Sequence, residues 1–342
     1  MFSVSRSRLA PSALLFLLLL LCSCGVHAAY SETLAKSALL YSKVTYCYVP
    51  QIGNWSCIAC EKPPKLKVVK LFTNTTYGTL AYMGVDEKER VVISFRGSLN
   101  IINWLADLDM WPVPYQKPSC WGCIVHRGFY NSFLSLRDEM WKELLKLITE
   151  SPNRSLKVLI TGHSLGGAMA VLAAADFASQ GYPDVMHPPK FELYTFGAPR
   201  VGNNAFASWV SALFCRGRHK SYRITNNQDV VPHLPPMFSG FEHTGGEVWY
   251  NSDGVDKYRN CSDVKGNVCT LKRVEEDSKC SNRIGMISVM DHMKYMGEHV
   301  LCFNETMEAE SKQKSMEIPL KVKTMVTEDQ EYQKNSTLLK RK

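Results

Sequence analysis

Apolar and polar positions along the 342-residue chain follow two different periods. Residues 31 to 46 mix Leu, Ala and Tyr at helical spacing. Residues 50 to 66 collect Pro, Gly and Cys and read as loop. Val68–Phe72, Gly78–Met83 and Arg90–Phe95 then alternate or run apolar with turn residues between them, which predicts three consecutive strands. Leu134 to Ile148 returns to the helical period, with Leu136, Met140, Leu144, Leu147 and Ile148 on one side. Leu156–Ile160 reads as a buried strand, and Gly166–Gln180, rich in Ala, as a helix. Phe191–Phe196, Tyr222–Thr225 and Glu247–Tyr250 read as further strands. Apolar strands alternating with helices predict an α/β fold, a mostly parallel central sheet with helices on both faces.

The two ends of the chain break this pattern. Arg6 and Arg8 precede an apolar run, Ala13–Leu21, that is too short to span a bilayer. Val26-His27-Ala28 supplies the small residues of a cleavage site, so 1–28 is expected to be a secretory signal peptide. Residues 29–306 are then expected to form one domain. From Met307 to Lys342 the chain is charged and without periodicity, and is expected to be a disordered polar tail.

The compartment changes how the cysteines are read. Ten remain after the leader, and an even, high number in a secreted chain points to disulfides. The pairs 57/60 and 120/123 have Cys-x-x-Cys spacing but lie much further apart than the roughly 15 to 20 residues of a zinc ribbon, so no metal is expected. Asn54, Asn74, Asn153, Asn260, Asn304 and Asn335 begin sequons, as suits the same compartment. The net charge of +8 is modest and interspersed with acids, which argues against a nucleic-acid partner.

The chemistry centres on Gly162-His163-Ser164-Leu165-Gly166, a Gly-x-Ser-x-Gly pentapeptide. Its context matters more than its letters. Leu156–Ile160 enters as a strand and Ala168–Ala175 leaves as a small-residue helix, so Ser164 sits at the apex of a strand-turn-helix. A sharp turn there needs Gly on either side, and the Leu165 N–H at the helix start can hold an oxyanion. A serine hydroxyl needs a base, and the base needs a carboxylate to fix its tautomer. In this architecture the order is Ser, acid, His. Asp229, after the Tyr222–Thr225 strand, is the candidate acid, although Asp is also common in plain turns. His292 and His243 both remain candidates for the base, with His292 favoured by its later position.

Phe95-Arg96-Gly97-Ser98, Gly162–Gly167, Phe196-Gly197-Ala198-Pro199-Arg200-Val201-Gly202, Asp229–Pro236 and Asp291-His292-x-x-Tyr295 occur in the order found in the fungal-type (class 3) lipases, and the chain resembles that family from about Tyr30 to Asn304. The resemblance implies a secreted α/β-hydrolase with Ser164, Asp229 and His292 as its triad. It implies Ser98 as a second oxyanion donor beside Leu165, and the position of Ser98 after an apolar strand agrees. It implies a lid over Asn100–Asp109, with Ile101, Ile102, Trp104, Leu105 and Leu108 on its apolar face. It also suggests disulfides Cys47–Cys302, Cys57–Cys60, Cys120–Cys123 and Cys261–Cys269, leaving Cys215 and Cys280 to pair with each other. The implied reaction is acyl-ester hydrolysis of lipids, as by a triacylglycerol lipase, through an acyl-enzyme and without a cofactor.

The expected partners are a lipid ester and, transiently, a lipid–water interface or membrane surface; the expected location is secreted or in the lumen of the secretory or endolysosomal pathway. Phospholipase A1, a soluble carboxylesterase, and a lipid-binding protein on a hydrolase scaffold are the competing readings. The charged tail and the Cys-rich stretch 261 to 280 depart from the family pattern.

Overall fold

A computed structural model describes residues 30–150, 155–182, 185–251, 258–261, 275–283, 288–302 and 317–339. Eight strands form the main sheet: β1 Leu66–Asn74, β2 Thr79–Asp86, β3 Val91–Phe95, β4 Lys157–His163, β5 Lys190–Phe196, β6 Lys220–Asn226, β7 Glu247–Tyr250 and β8 Tyr258–Asn260. They lie in chain order from one edge to the other. The first three pair antiparallel, β3 through β7 pair parallel, and β8 closes the far edge antiparallel. The parallel centre explains the unbroken apolar runs. β3 is buried along its length and β4 from Val158 onward, as expected where helices cover both faces.

The sequence-expected elements appear with small shifts of their ends. Helix α1, Glu32–Val44, is capped by the Ser31 side chain and packs on β4, where Ser42 Oγ and Thr161 Oγ1 share a buried hydrogen bond of 2.9 Å. Helix α2 is Ile101–Ala106. Helix α3, Arg127–Thr149, starts before the expected Leu134, because the His126 side chain caps it by accepting from the Phe129 amide. Its buried stripe is Phe129, Phe133, Leu136, Met140, Leu144 and Ile148. Helix α4, Leu165–Ala178, is buried on every side from Gly166 to Phe177, between the sheet and helices α3 and α5 (Asn204–Arg216). Only small residues allow that double contact, so the Ala-rich composition of α4 follows from its place. A second, four-stranded antiparallel ribbon joins Phe241–Glu242, Gly202–Asn203, Ile124–His126 and Pro112–Pro114.

The leader, 1–28, and the sequons at Asn153 and Asn304 lie outside the described residues. Asn54 and Asn260 are exposed and Asn74 half-buried. Among the described residues no helix is long and apolar enough to cross a membrane.

Two expectations are corrected. Cys47–Cys302, Cys57–Cys60 and Cys120–Cys123 are bonded, but Cys261 bonds Cys280, not Cys269. That also removes Cys280 as the partner of Cys215, which is itself disulfide-bonded. The backbone gives the reason: Cys261 follows edge strand β8 with its amide bonded to the Glu247 carbonyl, and the turn at 277–280 returns beside it. Cys269 lies outside the described residues.

The polar tail is not structureless throughout. Leu320–Leu339 is a helix, α6, and Ile318, Val322, Val326 and Asp329 are buried. Within the helix, the spacing of Val322, Val326 and Asp329 places them on one narrow face, and Ile318 precedes its first turn. That stripe is enough to fold the segment against the domain although its surroundings are charged.

The Cys47–Cys302 bridge closes a loop of 255 residues. Long closed loops remove the most entropy from the unfolded chain, so replacing both residues by Ser is expected to lower the unfolding free energy by about 2–5 kcal/mol. A denaturant titration of the double variant, compared at equal slope with the parent, measures this directly.

Candidate active site

Ser164 stands between β4 and α4 with φ 59° and ψ −131°. A non-glycine residue there stores on the order of 1–3 kcal/mol, which neighbouring contacts must offset. Its amide donates to the Phe196 carbonyl at 2.9 Å, and its carbonyl accepts from the Gly167 amide at 2.8 Å. The flanking glycines are required by backbone. A Cβ on Gly162 would lie 2.2 Å from the Gly166 carbonyl oxygen, and one on Gly166 would lie 2.3 Å from the Phe95 oxygen. The first turn of α4 is thus pressed against the ends of both β3 and β4.

Asp229 follows β6 and is almost fully buried. Its carboxylate accepts from His292 Nδ1 at 2.9 Å, from the Val231 amide at 2.9 Å and from the Tyr295 hydroxyl in a short hydrogen bond. Burial and the Asp229 charge raise the Tyr295 pKa well above its usual value, so the phenol remains a donor. Gly197, with φ +56°, sits against all three groups: a Cβ there would lie 2.8 Å from Asp229 Oδ2, His292 Nδ1 and Tyr295 Oη alike. His292 comes from a short 3₁₀ turn, Asp291–Met293. Its Nε2 and the Ser164 Oγ are both buried, and neither has a hydrogen-bond partner among the described residues.

The rival base is placed elsewhere. His243 Nε2 donates to the Pro232 carbonyl at 2.6 Å, and its pKa is pushed well below 6.5 by burial and then by Arg223. The ring that reaches the Asp229 carboxylate is that of His292.

His163 has a different task from either. Its Nε2 lies 2.8 Å from the His292 carbonyl, which can only accept, so this nitrogen carries the proton. Nδ1 then accepts from the Tyr46 hydroxyl at 2.8 Å. Burial, followed by the neighbouring His292, lowers the His163 pKa well below 6.5 and keeps the ring neutral. The two imidazoles lie 4.4 Å apart between ring centres. His163 therefore connects the residue before Ser164 to the backbone of His292.

The loop after β3 approaches from the other side. A Cβ on Gly97 would come within 3.1 Å of Ser164 Cβ, so the adjoining half-buried Ser98 borders the serine. Leu165 is the first residue of α4, where backbone N–H groups lack intrahelical partners. Helix α2 follows, capped by Asn100. Ile101, Leu105 and Leu108 are buried, Ile102 and Trp104 half-buried, and Trp104 stacks on Phe129 with ring centres 6.2 Å apart.

Sequence reasoning gave no role to Gly197, Tyr295, Tyr46 or His163. All but Tyr46 stand inside the motifs that carried the family resemblance. The Tyr46–His163 bond joins residues 117 positions apart and has no local signature.

A strained serine at a strand–helix turn, with an Asp after a later parallel strand bonded to a His from a turn further along the chain, defines a serine hydrolase of the α/β-hydrolase class. The comparisons with known proteins make this specific. The class 3 lipase family pattern matches residues 92–239. A lipase of Rhizomucor miehei is 37% identical over 281 residues, covering 80% of this chain and 71% of the relative. A secreted mono- and diacylglycerol lipase of Fusarium solani is 31% identical over 296 residues, covering 83% and 80%. The solved Rhizomucor miehei triacylglyceride lipase superposes with a TM-score of 0.68 at 34% identity, covering 81% of this chain and 99% of that one. A solved triacylglycerol lipase whose catalytic centre is formed by a serine protease triad matches with the same figures. The chain belongs to the class 3 lipase family, and it is a secreted, serine-dependent carboxylic ester hydrolase of lipids.

The buried histidines predict a pH response of stability. Burial, as the leading cause, lowers His126 and His219 to about 4 and His233 to about 3, and holds His163 and His243 well below 6.5. The unfolded chain takes up protons at these rings near pH 6.5 while the folded one does not, so the neutral rings stabilise the fold above that pH. This contribution is lost progressively as pH falls from about 6.5 toward 4. The melting temperature is expected to drop steeply across that window; a flat profile between pH 7 and 4 would contradict the buried placements.

Proposed function

We propose that Ser164 is the nucleophile of an acylglycerol lipase, with His292 as general base and Asp229 as the carboxylate that orients it. The observation that carries this reading is that Ser164 Oγ and His292 Nε2 are both buried without a hydrogen-bond partner among the described residues, while the other nitrogen of the His292 ring is fixed on Asp229. A buried polar atom without a partner costs free energy, and a substrate ester and its transferring proton would supply what is missing.

In the proposed reaction Ser164 Oγ attacks the ester carbonyl while His292 Nε2 takes its proton. The Leu165 amide and Ser98 hold the oxyanion. His292 then returns the proton to the leaving alcohol. Water repeats the cycle on the acyl-enzyme, releasing the fatty acid. Asp229 stabilises the imidazolium, and Tyr295 and the Val231 amide hold its carboxylate in place. The names of the relatives favour acylglycerols over phospholipids as substrates.

Ser164→Ala is expected to reduce fatty-acid release from a triacylglycerol emulsion on the order of 10⁴-fold or more. The parent should release more from the emulsion than from phosphatidylcholine vesicles; the reverse order would replace this reading with a phospholipase. Tyr295→Phe removes one donor to a buried carboxylate. It is expected to lower kcat by about tenfold with little change in KM, as a charged hydrogen bond of about 1.5–3 kcal/mol implies.

A further inference from the structure

Helix α6 lies across the carboxyl edge of the sheet. Its buried side chains and polar contacts reach three loops, each of which follows a parallel strand. From the loop after β3, the Leu108 carbonyl accepts from Lys321 Nζ at 3.1 Å, and α6 packs on α2 itself. From the loop after β5, Arg200, which is fully buried, lies 3.5 Å from Asp329 Oδ2. From the loop after β6, the Phe238 amide donates to Asp329 Oδ1 at 3.2 Å. The elbow serine projects from the same edge, after β4, which is where ligands of open α/β sheets bind.

The polar half of this grip is built around Arg200. Its guanidinium holds Glu276 in a two-pronged pair at 2.8 and 3.0 Å and also donates to the His233 and Pro235 carbonyls. Asp329, 2% exposed, adds a second acid to this cation. An aspartate in the middle of a surface helix gains nothing from burial by itself. Here it gives the helix one register on one cation. The apolar half is small: Ile318, Val322 and Val326 are buried, whereas Leu320, Lys323, Thr324, Thr327 and Glu328 are exposed. A contact this narrow fixes a helix in water and yields readily to a competing apolar surface.

We propose that α6 is an intramolecular strap that holds α2 closed over Ser164, and that a lipid surface opens the enzyme by displacing both helices together. This inference rests on the reading of α2 as a lid and of Ser164 as the nucleophile. It gives a regulatory role to the segment that departs from the family pattern. In water the strap keeps the ester site shut, in keeping with the near-complete burial of Ser164 and His292. At an interface, Val322 and Val326 exchange their contacts with the domain for lipid, and Leu108 and Leu105 follow.

The test uses the full mature chain, its V322D/V326D variant and its Asp329→Asn variant, all in lipid-free buffer. Hydrogen exchange of peptides covering 99–110 reads the lid, and the labelling rate of Ser164 by a fluorophosphonate reads access to the site. In the double variant both rates are expected to rise about tenfold, since exchange follows the free energy of local opening. Adding a synthetic 317–339 peptide should slow both again. Asp329→Asn keeps the side-chain shape and removes the charge facing Arg200; it should raise both by a few-fold, and it decides the matter if the double variant loses its near-ultraviolet dichroism.

The inference is overturned if 320–339 exchanges freely while the 99–110 amides remain as slow as in the parent. A faster lid with no labelling in parent or variants would leave the strap standing and remove Ser164 as the nucleophile instead.

Discussion

Everything at this site depends on how closely helix α4 approaches the sheet. The oxygens of Phe95 and Gly166 occupy the space that a Cβ on Gly166 or Gly162 would need. That approach leaves Ser164 no regular backbone conformation and turns its side chain out of both the strand and the helix. The cost of the strained turn is offset by the Phe196 and Gly167 hydrogen bonds and by the burial of α4 on all sides. Such rigidity fixes the Ser164 side chain before any substrate arrives, and positioning is a large part of acyl transfer.

The histidine is positioned by a different route. His292 sits on a short turn far along the chain, which could drift relative to the elbow. Three ties prevent this. Asp229 fixes the ring, His163 fixes the backbone carbonyl, and Asn226 Nδ2 donates to the Asp291 and Lys294 carbonyls on either side. Each tie originates at the end of a parallel strand, so the rigidity of the sheet passes into the turn. Burial keeps His163 neutral, so it ties the His292 backbone without placing a charge beside the His292 ring.

The sheet and the elbow were legible in the sequence because their signals are local. Runs such as Val91–Phe95 and Leu156–Ile160 carry their burial in their own composition, and the glycines around Ser164 mark a turn wherever it falls. Other features depend on partners distant in the chain. Spacing alone left both His292 and His243 open, and only the fold brings one of them to Asp229. The Cys261 partner could not be read from proximity along the chain, since the edge of the sheet determines which later cysteine returns beside it. Helix α6 escaped notice because its apolar stripe is one residue wide and includes an aspartate. That residue looks solvent-facing until Arg200, buried and already holding Glu276, is placed opposite it.

The order of the parts along the chain has a consequence for biosynthesis. Ser164 and Asp229 are made before His292, Cys302 and helix α6. On the proposed assignment of the triad, a nascent chain complete through Asp229 has an elbow and an acid but no base, and so cannot attack an ester. A secreted lipase is threaded past the lipids of the cell that makes it. Here the proposed base is followed by Cys302, which bonds Cys47, and then by helix α6, which packs on α2, so on the proposed reading the completion of the site and its closing follow one another closely along the chain.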